Sequence, residues 1–222
     1  MSPFAPNTTS NEEWLRLVRL RMGLPIFAKK ATCQCGHIAP TQNALASHIL
    51  VCCSIRGFTA VHRHNKVVAA LAARMEAFGL LVSVEPRWFA YEDGSKKRPD
   101  ITVHIGGQTH TTDVTITDDM DRAMSQKLEK HGKAVNLANS SFTPFVMGID
   151  GTFHSSALKF CSQVSKALPR STAKLFRLSL LKSASEAWAE GTARLLSSYT
   201  TPDILVNDID FENETDGIIG TN

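Results

Sequence analysis

Apolar residues recur along the chain first at helical spacing, then in alternation, then at helical spacing again. That order predicts a mixed α/β fold. The segment NEEWLRLVRLRMGLPIF sets Trp14, Leu15, Val18 and Met22 on one stripe with Arg16, Arg19 and Arg21 between them, an amphipathic helix stopped by Gly23 and Pro25. A short helix is expected over 41–50, and RHNKVVAALAARMEAFGLL repeats Val67, Leu71, Met75 and Phe78 at helical intervals before Gly79 ends it. LLVSVEPRWFAY, RPDITVHI and QTHTTDVTIT then alternate. They are rich in β-branched and aromatic residues and are separated by Asp93-Gly94 and Gly106-Gly107, which predicts a three-strand meander. A helix over about 119–138, the strand PFVMGID ended by Gly151, and helices over 155–168 and about 172–198 complete the body. The expected core is thus helix, three strands, helix, strand, helices.

The second hairpin permits a register prediction. With Gly106 and Gly107 at the centre of a primed turn, Ile105 faces Gln108, and counting outward sets Asp100 opposite Asp113. Ile101, Val103, Ile105, Val114 and Ile116 then share a core face, while Asp100, Thr102, Thr111, Asp113 and Thr115 share the other. Two carboxylates facing each other across adjacent strands repel, so a positive charge is expected between them. Hard oxygen ligands suit Mg²⁺ or Mn²⁺, and such an ion activates water and polarises a phosphodiester. A lysine to hold the attacking water is expected from DRAMSQKLEKHGKAV, which offers Lys127, Lys130 and Lys133. Lys127 shares a face with Met120, Met124 and His131, and Lys133 reads best as a surface lysine.

Four of the five cysteines fall between Cys33 and Cys53, and with no secretion signal at the N-terminus that clustering favours metal ligation over disulfides. Cys33, Cys35, His48 and Cys52 would complete a tetrahedral structural zinc site, with Cys53 or His37 as substitutes for Cys52 or His48. Cys161 stands alone in an apolar helix and reads as core. Charge is divided unevenly. Six of the 21 acids lie from residue 201 onward with no Lys or Arg, so residues 1–200 carry 24 basic against 15 acidic residues, a net +9 suited to a polyanion. The tail 201–222 reads as a disordered solubilising end. No apolar run is long enough for a bilayer span, and an intracellular protein without a membrane partner is expected.

Arg98-Pro99-Asp100, Asp113-Val114-Thr115 and the lysine helix together resemble the PD-(D/E)xK nuclease superfamily. More narrowly, the chain resembles the restriction-enzyme-like endonuclease domain of site-specific non-LTR retrotransposon reverse transcriptase proteins. RMGLPIF, CQCG with His48-x-x-x-Cys52, Arg63-His64-Asn65, EDGSKKRPD, TDVTITDD, Lys127-x-x-Lys130 and FTPFVMGIDG match in order from about residue 16 to 165. The resemblance implies a restriction-endonuclease-like α/β core over 58–200, preceded by a CCHC zinc knuckle over 31–57 and by a helix and linker over 1–30. It implies a nuclear enzyme that nicks double-stranded target DNA with Mg²⁺ or Mn²⁺ to prime reverse transcription, with element RNA and a reverse transcriptase domain as further partners. Asp100 and Asp113 would hold the ion, Lys127 with Lys130 beside it would serve the water, and Arg63, Lys66 and Arg98 would touch DNA. Glu85 on the first strand is a further site candidate or a rim charge, and Asn65 a positioning or capping residue. The family pattern favours Cys52 over Cys53. Two departures stand out: Thr115 replaces the lysine expected two residues after the second acid, and His131 stands where a tyrosine is common. No reverse transcriptase motif is present, so the domain is either a fragment or stands alone. A copy that binds nucleic acid without cutting is the alternative.

Overall fold

The structure, a computed structural model, describes residues 11–26, 33, 35–52 and 58–197. The expected acidic tail, residues 27–30 of the linker and Cys53 lie outside the described residues. Helices α1 (Asn11–Arg21), α2 (Gln42–Val51) and α3 (Phe58–Ala77) precede strands β1 (Leu81–Val84), β2 (Ile101–Ile105), β3 (Gln108–Thr112) and β4 (Val114–Thr117). Then follow α4 (Met120–Leu137), β5 (Ser140–Phe142), β6 (Phe145–Gly148), α5 (Ser155–Ser165) and α6 (Arg170–Ser197). This is the mixed α/β arrangement expected, with a Cys/His cluster near its start. No helix among the described residues is long and apolar enough to cross a membrane.

The hairpin register is the expected one. Ile105 pairs with Gln108 and Ile101 with Thr112, and both turn glycines take positive φ. The meander itself is altered in two places. β1 ends at Val84 because Glu85 adopts φ 47, a left-handed conformation that turns the chain ahead of Pro86; its N–H donates to Asp100 O at 2.8 Å. The rest of LLVSVEPRWFAY is therefore not strand. It crosses the polar face, with Trp88 beside His104, Phe89 buried and Tyr91 reaching His131 of α4.

The third strand breaks at Asp113. β3 runs parallel to β5, with Thr111 opposite Phe142, and β4 runs parallel to β6, with Val114 opposite Phe145; the offset between partners is the same on both sides. Thr143 N–H donates to Thr111 O and Phe145 N–H to Asp113 O, both at 3.0 Å, so the strand bends without slipping register. β5 was not anticipated, since Ser-Ser-Phe carries no alternation. Asn139, at φ 53 just past α4, ends that helix and sends the chain directly into the strand.

The main core joins Val67, Leu71 and Met75 of α3 to Ile101, Val103 and Val114 of the sheet and to Phe160, Phe176 and Leu180 of α5 and α6. Cys161 lies in it as expected, and burial pushes its thiol up to about 12. The expectation for α1 needs correction: Trp14, Leu15 and Met22 are exposed, and the buried residues are Arg16 and Leu17. Apolar residues lie on both sides of this helix, so contact with α6 chose the face and periodicity did not. Arg21 then rests over the Trp188 ring, 5.1 Å from its centroid.

α3 and α6 cross closely at Gly191, where an added Cβ would meet Arg63 Cα, Cβ and Cγ at 2.8 Å. Gly191→Ala is therefore expected to destabilise the fold by about 1–3 kcal/mol through overpacking. Urea denaturation measures this, and an unchanged midpoint would show that the crossing has slack.

Candidate functional site

The Cys/His cluster is built by a knuckle and one helix. Gly36, at φ 81, allows the tight turn, and its N–H donates to Cys33 O at 2.9 Å. Thr41 caps α2 by accepting from Ala44 N–H at 3.1 Å, and α2 carries His48 back to the knuckle and presents Cys52 at its end. The ligand atoms of Cys33, Cys35, His48 and Cys52 all lie within 4.8 Å of one another. Cys33 and Cys52 sulfurs are 3.6 Å apart, and Cys35 Sγ is 3.1 Å from His48 Nε2. A tetrahedron with zinc–sulfur bonds of about 2.3 Å sets two sulfurs roughly 3.8 Å apart, so this set can hold zinc with no protein ligand missing. Burial, together with the neighbouring Cys35 and Cys52 sulfurs, pushes the Cys33 thiol up to about 11, so thiolates here need a cation beside them. His48 is shifted down by burial and by His37 stacked on it, which favours the neutral imidazole that ligates.

Asp100 and Asp113 come from β2's approach and from the break between β3 and β4. Asp100 Oδ2 accepts from Val114 N–H at 2.6 Å and meets His64 Nε2 at 3.0 Å. Asp113 is 3% exposed, and Lys127 of α4 places its ammonium against Oδ2. Burial, and after it the charge of Asp100, raise the Asp113 carboxyl above its ordinary value, with Lys127 and Lys130 pulling the other way. Lys130 is exposed on the next turn and acts on Asp113 through its charge. Lys133 is a surface lysine paired with Glu92.

Three groups around the pair were not among the expected site residues. His64 joins Asp100 through Nε2, with Asn65 Oδ1 at 3.1 Å from its Nδ1, so Asn65 has a positioning contact. Burial alone would lower His64, but the hydrogen bond and charge of Asp100, then Asn65 and Asp113, raise it above its ordinary value. His131 is fully buried, with Nε2 3.4 Å from Asp113 Oδ1, and Tyr91 Oη is 2.5 Å from its Nδ1. The signal for His131 was present in the sequence, one helical turn beyond Lys127 on the same face.

Other expected residues lie elsewhere. Arg63 is 2% exposed and donates through Nη2 to Leu50 O at 2.8 Å, and burial lowers its guanidinium to about 10. It ties α3 to α2, which corrects the expectation of a phosphate contact: α3 presents Arg63 inward, toward the end of α2. Lys66 pairs with Glu190 at 2.6 Å. Glu85 is turned outward and takes Arg98 at 3.3 Å. Thr115 lies on β4 with its hydroxyl buried, and the lysine that reaches Asp113 is Lys127 of α4.

These features define a mixed α/β domain with a zinc-type Cys₃His knuckle and a carboxylate pair, Asp113 buried and Asp100 partly so, under a lysine-bearing helix. No family model matches the chain. Over 111 residues, 47% of the chain, it is 29% identical to a Retrovirus-related Pol polyprotein from type-1 retrotransposable element R2 of Popillia japonica, covering 24% of that protein. A second polyprotein of the same description and organism is 30% identical over 105 residues, 45% of this chain and 17% of that protein. The chain is homologous to part of such polyproteins, and the match spans about a quarter or less of their length.

Purified chain is expected to carry one zinc per molecule by elemental analysis, falling to below about half in Cys35→Ser. Full zinc in that variant would remove Cys35 from the ligand set. In metal-free protein, burial and then the charges of Lys130 and Lys127 hold His131 down at about 4. Its folded value lies below the unfolded one of about 6.5, so the stability it contributes is full above that value and is lost as pH falls toward 4. Asp113, shifted upward, works in the opposite direction, so the clean measurement is site-resolved: the His131 imidazole resonances should titrate near pH 4, and a midpoint above 6 would contradict the burial argument.

Proposed function

We propose that the chain is a metal-dependent DNA endonuclease of the restriction-endonuclease-like kind, nicking target DNA as part of retrotransposon chemistry in the nucleus. The observation that carries this reading is the buried Asp113 carboxylate set beside Asp100 with Lys127 against it. The homology to retrotransposon polyproteins supports it. The reading extends to double-stranded DNA as substrate, and to element RNA and a reverse transcriptase domain as partners.

The donor set fits a hard divalent ion. Mg²⁺ keeps several waters and is commonly held by one or two carboxylates, which suits a pair on one sheet face. When bound, Mg²⁺ or Mn²⁺ would lower the pKa of a water and polarise the scissile phosphate. The protein's own contribution is then positional. The Val114 N–H fixes the Asp100 carboxylate through Oδ2. The Lys127 ammonium is placed to hold the attacking water and to offset charge developing on the phosphate. His64, hydrogen-bonded to Asp100, borders the same space.

A zinc-stabilised nucleic-acid-binding module with an inactive core is the second reading. It is favoured by Lys127 and His64, which already offset the two carboxylates without an ion. Supercoiled plasmid incubated with and without Mn²⁺, beside a binding titration, separates the two readings. Asp100→Asn and Asp113→Asn should each reduce nicking at least about 100-fold, and Lys127→Met by about 10²–10⁴, with DNA affinity within about twofold of the native chain. Nicking that survives both Asp substitutions would defeat the endonuclease reading. Salt-sensitive binding without any nicking would establish the second.

A further inference from the structure

We propose that Tyr91 and His131 form a clasp that sets Asp113 against Asp100, Tyr91 donating its hydroxyl proton to His131 Nδ1 and His131 presenting its Nε2–H to Asp113. The inference rests on the reading of Asp100 and Asp113 as the ion-holding pair, and it makes Tyr91 and His131 positioning residues.

The connection is physical at each link. Tyr91 Oη lies 2.5 Å from His131 Nδ1, and His131 Nε2 lies 3.4 Å from Asp113 Oδ1. A neutral imidazole has one donor and one acceptor, so a phenol donating to Nδ1 leaves the ring proton on Nε2, the nitrogen 3.4 Å from the carboxylate. The ring is fixed in place. It is fully buried, with the Phe142 ring 5.6 Å and the Tyr91 ring 5.7 Å away between centroids. Asp113 Oδ1 is thereby addressed by His131 while Oδ2 is addressed by Lys127, which holds the carboxylate from both sides.

The clasp also joins three chain segments. Tyr91 lies on the irregular segment that leads into Asp100, Asp113 lies at the strand break, and His131 lies one turn beyond Lys127 on α4. The phenol–imidazole bond, together with the exposed Lys133–Glu92 pair, therefore ties the segment carrying the first acid to the helix carrying the lysine. Partners of this kind, one step behind the ligands, typically change metal affinity or activity 10- to 100-fold when removed.

Tyr91→Phe removes a single oxygen from the full 222-residue chain and should leave its melting temperature within a few degrees of native. Two measurements test the clasp. Long-range proton–nitrogen correlation spectra of the metal-free native chain should show His131 as the Nε2–H tautomer, and in Tyr91→Phe that single tautomer should give way to a mixture. In plasmid nicking, Tyr91→Phe should raise the Mn²⁺ concentration for half-maximal rate about 10- to 100-fold with DNA affinity unchanged. His131→Gln should do the same, and the double variant should be no worse than the poorer single one. An Nδ1–H tautomer in the native chain, or a Tyr91→Phe protein with the native Mn²⁺ dependence, would overturn the clasp. If the native chain does not nick, or Asp100→Asn nicks as native, the endonuclease reading is what fails, and the tautomer still decides whether the Tyr91–His131–Asp113 connection exists.

Discussion

A carboxylate taken almost wholly out of water beside a second carboxylate is the constraint around which this domain is arranged. Burial and the charge of Asp100 both disfavour an ionised Asp113, so the surrounding structure must supply compensation. It does so from separate elements: Lys127 and His131 from α4, and for Asp100 a backbone N–H from β4 and His64 from α3. The strand break at Asp113 and the seating of α4 over the polar face are the structural means by which those groups converge. Without the break, Asp113 would be one more residue of a continuous strand.

The knuckle is bound to the rest by a different kind of contact. Its apolar residues Leu45, Ile49 and Leu50 cluster with Leu195 and Leu196 at the far end of α6, and Arg63 reaches from α3 to the Leu50 carbonyl. The Cys/His cluster is thus docked on the two long helices that also enclose the main core. A metal held there would stabilise that junction as well as the knuckle, because the same small cluster contains Cys33 and Cys52. Arg63 shows how position changes the meaning of a residue: on a helical wheel it belongs to a basic face, but in the fold it is an interior tie.

Much of this was legible in sequence because it depends on local chemistry. The Gly106-Gly107 turn fixed the β2–β3 register, and with it the shared face of Asp100 and Asp113, since a period of two leaves no freedom once the turn is set. Cys33 and Cys35 were legible from spacing and residue type, whereas spacing left His48 or His37 and Cys52 or Cys53 open and the family resemblance favoured Cys52. What failed was decided by tertiary contact. The exposed Trp14, Leu15 and Met22 follow from which side of α1 met α6, and the early end of β1 follows from a left-handed Glu85 that no propensity signals. Tyr91 and His64 are ordinary residues in sequence and acquire a role only when α3, the 85–100 segment and α4 come together.

The central claim is that Asp100 and Asp113 jointly hold a divalent cation. Anomalous diffraction from crystals grown with Mn²⁺ tests it most directly. A peak is expected within about 2.3 Å of a carboxylate oxygen of each aspartate, near Lys127 and distinct from any zinc in the Cys/His cluster. Crystals that bind Mn²⁺ elsewhere, or not at all at saturating concentration, with Lys127 and His64 still closed on the two carboxylates, would contradict it.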